Sequence, residues 1–467
     1  MFDKLREHCG VVGVFGHPEA STITYLALHA LQHRGQESAG VVASDGELLR
    51  QHRAMGLVAD VFTPDVLEKL PGDRAIGHVR YSTAGASALE NAQPLMIRER
   101  GGQLAVAHNG NLVNADELRR ELEAQGAVFS SSSDTEVLLH LIAREKDAEL
   151  ETRIARALER VEGAYSLAFL AADRLVAVRD PHGFRPLVLG RMKNHAYVVA
   201  SESCAFNLIE AEYLREIEPG ELVVLDASGV HSMRLPKPGA GGRCSFELIY
   251  FSRPDSMVFS RSVYAARRAL GRELARTQPC EVDVVVPVPD SGTAGALGFS
   301  GELGKPFELG LIRSHYIGRT FIEPAQSIRH FGVKLKLSVV ADVVRGKRVA
   351  VVDDSLVRGT TSRKIVRLLR DAGATEVHLR ITAPPTRFPC YYGIDTPNRQ
   401  ELLAATHTND EIARYVLADS IGYLTLEAMH KALASNRSDF CDACFSGDYK
   451  IAFPEERPLV ALGARTG

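Results

Sequence analysis

The chain lacks any stretch suited to a membrane or to export. No run approaches the ~18 uninterrupted apolar residues of a spanning helix. Met1 to His8 is short and charged, without the apolar core of a signal peptide. Charge of one sign is also lacking: 55 Lys and Arg stand against 58 Asp and Glu, a formal net charge of −3. That argues against bulk binding to nucleic acid or a membrane surface. Seven cysteines among 467 residues form no secreted disulfide framework and read as thiols, nucleophiles or metal ligands. The ordinary nucleotide signatures are missing too: no glycine-rich loop ends in Gly-Lys-Ser/Thr, and no G-x-G-x-x-G follows a strand. A cytoplasmic globular chain of roughly two to three domains is expected, with an ordinary 45% hydrophobic and 24% charged content.

What is present centres on Val349-Ala350-Val351-Val352-Asp353-Asp354-Ser355-Leu356-Val357-Arg358-Gly359-Thr360-Thr361-Ser362. It reads as an apolar strand, an acidic pair, a glycine- and hydroxyl-rich turn, and a helix starting near Ser362. A turn at a helix N-terminus offers free N–H groups and a positive dipole end, which suits a phosphate. Asp353 and Asp354 cannot serve that phosphate; they suit Mg²⁺ or the hydroxyls of a ribose. Strands over 282–289, 349–354 and 376–381 alternate with helices over 262–277 and 362–372, and a small-residue helix follows Asp290-Ser291-Gly292-Thr293-Ala294. This predicts an α/β parallel sheet covered on both faces, with ligands at the C-terminal strand ends where both special loops lie. The basic segment 313–336, with Arg319, Arg329, Lys334 and Lys336, reads as a solvated loop or as a lid that neutralises phosphate charge and excludes water.

The N-terminal half reads differently. Strands are predicted over 9–16, 38–43, 48–53, 75–81, 103–108, 161–179 and 196–201, with a hairpin turn at Asp45-Gly46. A helix covers 21–31, and Asn114 with Glu117 and Ser133 with Glu136 have the spacing of capping boxes. Many short strands without regular alternation predict a layered α+β domain with antiparallel sheets. Pro236-Lys237-Pro238-Gly239-Ala240-Gly241-Gly242 is the most linker-like run and sets expected domains of 9–235 and 244–467, joined by 236–243 and preceded by a segment 1–8.

Single residues here have bland explanations. Cys9 opens the first strand as a small buried hydrophobe, or as a nucleophile whose own α-amino group, titrating near ~8, becomes the base once residues 1–8 are removed. Arg80 is an exposed strand-end cation or a carboxylate clamp. Asn109-Gly110 is the commonest hairpin-turn dipeptide, or an oxyanion hole built from an amide and an N–H. Asp134 is a dipole-stabilising acid in a first helical turn, or an acceptor for a substrate ammonium. Cys441-Asp442-Ala443-Cys444 with Cys244 and Cys390 offers a redox disulfide or four thiolates for a metal, and thiolates alone do not separate Zn²⁺ from an iron–sulfur cluster. Cys204 and Cys280 lack such settings and read as core or surface residues.

Together the motifs are specific. Cys9-Gly10-Val11-Val12-Gly13-Val14-Phe15-Gly16, Gln32-His33-Arg34-Gly35-Gln36-Glu37-Ser38, Gly77-His78-Val79-Arg80-Tyr81-Ser82-Thr83, His108-Asn109-Gly110-Asn111-Leu112 and Ser133-Asp134-Thr135-Glu136 resemble, in order, the motifs of class II glutamine amidotransferases. That family has an N-terminal-nucleophile, four-layer αββα fold. The resemblance implies that Cys9 attacks the glutamine amide, Arg80 and Asp134 hold the carboxylate and ammonium, and Asn109 and Gly110 stabilise the oxyanion. Val351 to Ser362 is similar to the phosphoribosylpyrophosphate signature of type I phosphoribosyltransferases. There it implies that Asp353 and Asp354 meet the ribose and Mg²⁺, that Ser355, Leu356, Val357, Arg358, Gly359, Thr360 and Thr361 cradle the 5′-phosphate, and that Ser291 lies near the metal.

The fusion, with Cys244-Ser245-Phe246-Glu247-Leu248-Ile249-Tyr250-Phe251-Ser252-Arg253-Pro254-Asp255-Ser256, resembles the family of glutamine phosphoribosylpyrophosphate amidotransferases in its branch with a propeptide and a [4Fe–4S] cluster. The cluster ligands implied are Cys244, Cys390, Cys441 and Cys444. The implied reaction turns glutamine, phosphoribosylpyrophosphate and water into 5-phosphoribosylamine, glutamate and pyrophosphate, the opening step of purine synthesis. Purine nucleotides as inhibitors and a homotetramer are further expectations. A regulator that senses phosphoribosylpyrophosphate on a degenerate enzyme fold is the alternative.

Overall fold

The computed structural model describes residues 9–81, 87–99, 101–146, 148–237, 239–314, 337–396 and 398–451. In its N-terminal half the strands are β1 (Gly10–Phe15), β2 (Ser38–Ser44), β3 (Leu49–Met55), β4 (Arg74–Arg80), β5 (Leu95–Glu99), β6 (Gly102–Leu112), β7 (Gly163–Leu170), β8 (Leu175–Arg179), β9 (Val188–Arg191), β10 (Tyr197–Ala200), β11 (Glu212–Glu216), β12 (Glu221–Asp226) and β13 (Gly229–Arg234). They form two antiparallel sheets, ordered β11-β9-β10-β1-β4-β2-β3 and β13-β12-β8-β7-β6-β5. All of β1 is buried because both of its faces are covered. Val12 and Val14 pack with Ala27 and Leu28 of helix α1 (Ala20–Ala30), while Val11 and Phe15 pack with Ala105, Ala107 and Ala168 of the other sheet. The second sheet's outer face carries α2 (Ala115–Ala124), α3 (Thr135–Arg144) and α4 (Leu150–Glu159), which bury Leu118, Leu122, Leu138 and Ile154 with Leu104 and Val106 of β6. Period-2 alternation thus sends successive residues into different cores and produces the αββα layering.

The C-terminal half contains β14 (Arg243–Cys244), α5 (Val263–Thr277), β15 (Val284–Pro287), α6 (Thr293–Leu303), β16 (Leu311–Arg313), β17 (Leu337–Val339), β18 (Arg348–Asp353), α7 (Thr360–Asp371), β19 (Glu376–Ile381), β20 (Ser420–Tyr423) and β21 (Phe440–Cys441). The sheet β15-β18-β19-β20 is parallel throughout, as the apolar runs predict. Amphipathic α7 buries Ile365, Val366 and Leu369 against it and leaves Lys364 and Arg367 outside. Strands β16 and β17 pair antiparallel, and the basic residues Arg319, Arg329, Lys334 and Lys336 between them lie outside the described residues.

Several local expectations change. Asn109-Gly110 is not a turn: β6 runs on to Leu112, with Asn109 opposite Ser166 and Gly110 opposite Tyr165. Asn114 precedes α2 but its amide grips Arg160 O and Glu162 N–H instead of the helix end. Glu136 does not close a capping box with Ser133; its carboxylate takes the N–H and hydroxyl groups of Ser130 and Ser131. Helix α7 begins at Thr360, two residues before the expected start, because Gly359 stands at φ +74° as its N-cap. The run after Leu235 has no regular structure, yet it is pinned: the Gly242 N–H donates to His182 O and the His182 ring meets Ala240 O.

Helices α5 and α6 cross at glycines. A Cβ on Gly271 would fall on Gly295 O and one on Gly298 on Arg268 O, whereas one on Gly301 meets nothing. Gly271→Val should therefore destabilise the fold by about 3 kcal/mol through forced separation of the helices. Gly301→Ala should stabilise it by about 0.5–1 kcal/mol. Urea midpoints of the two variants check both signs.

Candidate active sites

The first site lies where the two N-terminal sheets face each other. Cys9 stands at the head of the central strand β1, buried, at φ +64°. Its thiol donates to Tyr81 O at 3.7 Å, and its carbonyl accepts from Arg34 Nε at 3.0 Å. Burial pushes the thiol up to about 12, against the pull of Arg80. At neutral pH it is therefore a protonated thiol that needs a base. Arg80, the last residue of β4, is 3% exposed, and its carbonyl takes the Glu37 N–H. Gly35 allows the 32–37 turn to lie on that strand, since a Cβ there would stand 2.6 Å from Arg80 N.

Asn109 is fully buried in β6. Its Nδ2 reaches Ser201 Oγ at 3.4 Å, and Ser201 Oγ also accepts the Val11 N–H at 2.9 Å, so one hydroxyl ties Asn109 to β1, the strand that follows Cys9. Asp134 precedes α3 and accepts the Leu112 N–H at 3.0 Å. Burial would raise its carboxyl, but His108, the Leu112 N–H and the Thr135 hydroxyl outweigh that and hold it below the usual carboxylate range. Arg80 and Asp134 both lie within electrostatic reach of Cys9.

The second site is at the C-terminal edge of the parallel sheet. Asp353 and Asp354 are 2% and 1% exposed. The Asp354 N–H donates to Asp353 Oδ1 at 2.9 Å and the Ser355 hydroxyl to Asp354 Oδ1 at 2.6 Å, which fixes both carboxylates. Leu356 and Val357 are buried, and Arg358 faces outward to Glu401 at 2.7 Å. From Gly359, Thr360 and Thr361 start α7, leaving its first N–H groups over the turn. The Asp290-Ser291-Gly292 loop lies alongside: Val288 N–H donates to Val352 O at 2.9 Å, and a Cβ on Gly292 would fall on that carbonyl.

The four cysteines converge from three segments. Cys244 in β14 is the register partner of Cys441 in β21. Ser245 Oγ donates to Cys441 O, and the N–H groups of Arg387 and Phe388 both donate to Cys444 O. The Tyr392 N–H donates to Cys390 Sγ at 3.3 Å. All four are free thiols. Burial pushes Cys244 up to about 12 and raises the other three, each of Cys441 and Cys444 also feeling its neighbours in the set. Among the described residues no three His, Cys, Asp or Glu are grouped to hold a single metal ion. Cys204 is a core residue and Cys280 is half-buried.

Residues 78–207 match the model of a glutamine amidotransferase domain. Over 456 residues the chain is 56% identical to amidophosphoribosyltransferase 2, chloroplastic, of Arabidopsis thaliana, covering 97% of this chain and 81% of that one. It is 50% identical to the amidophosphoribosyltransferase of Bacillus subtilis (strain 168), covering 97% and 96%. A solved B. subtilis glutamine phosphoribosylpyrophosphate amidotransferase, complexed with ADP and GMP, superposes with a TM-score of 0.90 at 49% identity, over 94% of this chain and 97% of that one. The chain belongs to the amidophosphoribosyltransferase family.

Within this amidophosphoribosyltransferase fold a third group, not foreseen as functional, joins the halves. Arg34 is fully buried and places Nη2 2.9 Å from Glu247 Oε1, Nη1 3.2 Å from Glu247 Oε2, and Nη1 also on Glu202. Glu202 further takes His33, the Arg253 N–H and the Ser256 hydroxyl. Arg185 stands 3.0 Å from Glu247. In the sequence Arg34 and Glu247 stand in two of the motifs that carry the resemblance, Glu247 as one acid inside the apolar run 246–251, without a sign that they pair. Burial opposes ionisation of both acids, but Arg185 and Arg34 hold Glu247 below the usual range, and His33 and Arg34 do the same for Glu202. A depressed acid stabilises the fold above its unfolded pKa and loses that contribution as pH falls through the folded one. Glu247→Gln should cost about 3 kcal/mol at neutral pH by leaving buried guanidiniums uncompensated. It should also give a shallower loss of stability than wild type below about pH 4.5. Urea midpoints from pH 7 downward test both.

Proposed function

We propose that this chain transfers the amide nitrogen of glutamine to phosphoribosylpyrophosphate, with water yielding 5-phosphoribosylamine, glutamate and pyrophosphate. One observation carries the reading: a single chain holds Cys9, Arg80, Asn109, Gly110 and Asp134 around one buried end and the Asp353–Thr361 turn at another. Nothing favours the regulatory alternative, which would not need the first set. Cys9 is the nucleophile, and with residues 1–8 removed its α-amino group takes the thiol proton. Arg80 and Asp134 hold the two ends of glutamine. Asn109 Oδ1 has no hydrogen-bond partner among the described residues. With its amide turned over, Oδ1 accepts the Ser201 hydroxyl proton and Nδ2 is freed toward the oxyanion, beside the Gly110 N–H.

At the other site, Ser355 to Thr361 receive the 5′-phosphate at the start of α7. Asp353 and Asp354, with Ser291 nearby, fit Mg²⁺, because two buried, fixed carboxylates call for a cation. When bound, Mg²⁺ neutralises the departing pyrophosphate. The protein supplies position and charge, and ammonia displaces pyrophosphate at C1. The halves meet next to the oxyanion residues: Asn111 Nδ2 donates to Tyr391 O at 3.0 Å, and a Cβ on Gly393 would lie 3.0 Å from Gly110 C. Ammonia is released at that contact, which favours direct passage over escape as ammonium.

Cys244, Cys390, Cys441 and Cys444, all free thiols, would hold the [4Fe–4S] cluster that the resemblance implies. When bound, the cluster ties the three cysteine segments together. Nucleoside phosphates such as those in the B. subtilis complex suit the same anion-binding turn, and a cytoplasmic homotetramer with domains 9–235 and 244–467 completes the proposal.

Three outcomes are expected from pyrophosphate and glutamate release by the anaerobic enzyme. Cys9→Ala loses glutamine-dependent turnover but still makes pyrophosphate with ammonium salts. Asn109→Ala lowers glutamine turnover roughly 10²–10³-fold. Chelating Mg²⁺ stops pyrophosphate release. Absence of glutamine-dependent pyrophosphate release in the wild-type enzyme would overturn the reading.

A further inference from the structure

One buried hydroxyl beside the first site has no part in the proposed mechanism. Ser38 opens β2 and is 1% exposed, and its Oγ has no hydrogen-bond partner among the described residues. Its register partner on the neighbouring strand β4 is Arg80. Register partners in an antiparallel pair share a face and hold their Cβ atoms about 4.5–5.5 Å apart.

That face is the one turned to the second sheet. His78, two residues before Arg80, pairs with Val11, which packs in the core between the sheets, and His78 Nε2 meets His108 O of β6 at 2.9 Å. On β2, Gly40 leaves room for Gln93 O where a Cβ would fall, and Gln93 Oε1 accepts the His108 N–H at 2.8 Å. Val42 packs in the same inter-sheet core as Val11. Period-2 alternation therefore turns Arg80 and Ser38 into the cleft as well. Strand β4 lies between β1 and β2, and Gly10 pairs with Val79, so Arg80 stands between Cys9 on one side and Ser38 on the other.

A buried hydroxyl without a partner forfeits its bonds to water, a cost that alanine at the same position would avoid. The carboxylate of glutamine supplies the missing acceptor. It has about four lone-pair sites, and a guanidinium fork takes two of them. A hydroxyl on the adjacent strand reaches a third. Neighbouring strands lie ~4.8 Å apart, so a carboxylate held over β4 and β2 leaves the rest of the molecule to run back toward Cys9.

We propose that Ser38 is a substrate-binding residue whose hydroxyl donates to the α-carboxylate of glutamine beside Arg80. The inference rests on the glutaminase reading above and adds a specificity element to it, a neutral donor that recognises the carboxylate together with the cation.

The test uses holoenzyme purified without oxygen, as wild type and Ser38→Ala. KM for glutamine should rise roughly 10–100-fold with kcat kept, the loss of one hydrogen bond to a charged group. Pyrophosphate release with ammonium salts should be unchanged. The urea midpoint should stay or rise, since the variant removes a buried polar group that no protein group satisfies. With glutamine α-methyl ester, which lacks the carboxylate charge, the penalty in kcat/KM should be severalfold smaller. A wild-type KM for glutamine in Ser38→Ala overturns the proposal, and so does an equal penalty for glutamine and its ester. Failure of Ser38→Ala to fold, or a lowered midpoint, also overturns it, because the hydroxyl is then required by the protein and not by the substrate. Absence of glutamate release from glutamine by the wild-type enzyme overturns the glutaminase reading itself, a separate result read on wild type alone.

Discussion

The carboxylate of Glu247, held between two guanidiniums in a buried junction, is the constraint on which the rest depends. Arg34 comes from the turn after the first helix and Arg185 from a loop between strands, while Glu247 belongs to the C-terminal half. Charges buried this deeply tolerate little displacement, since any gap leaves an ion without compensation. The junction therefore fixes the two halves against each other, and the fixation reaches the nucleophile directly, because Arg34 Nε also holds the Cys9 carbonyl. Apolar packing alone would allow the halves to slide. The ionic junction contributes register more than net stability.

That register aligns two sites of different construction. In the N-terminal half the candidate groups come from the ends and middles of antiparallel strands in two facing sheets. In the C-terminal half they come from loops at one edge of a parallel sheet, beside a helix N-terminus. The cysteine-bearing loop 390–393 bridges them: Tyr391 O holds Asn111, and Gly393 lies against Gly110. The same loop thus carries Cys390 and lies against Asn111 and Gly110.

Residues whose meaning is local were legible in the sequence. The apolar run ending in Asp353-Asp354 announced a parallel strand, and Gly359 announced the turn. The layered antiparallel half followed from its many short apolar segments. What could not be read was long-range pairing. Asn109-Gly110 has the local propensity of a turn, but pairing with Ser166 and Tyr165 extends the strand through it. Asn114 and Glu136 match capping spacing, yet nearby loops offered their side chains better partners. Arg34, Glu202, Arg185 and Glu247 lie far apart in the chain, and a lone charge in a sequence is ordinarily a solvated one; only the fold reveals that these are buried together.

In the proposed mechanism the surroundings of Cys9 account for the role of an α-amino group. Burial, with the Asp134 charge adding to it, pushes the Cys9 thiol up to about 12 against the pull of Arg80, Arg185 and Arg34. Asp134 is held below the usual carboxylate range by His108 and its hydrogen bonds, and its negative charge raises the Cys9 thiol further. His108 is occupied with Thr135 and Ala164. His78 is held down to about 3 by burial, and its Nε2 is engaged by His108 O. While residue 8 is attached, the Cys9 nitrogen is an amide and has no basicity to offer. In the proposed mechanism, removing residues 1–8 is therefore the chemical step that creates the base, and the unprocessed chain carries its nucleophile as an inert thiol.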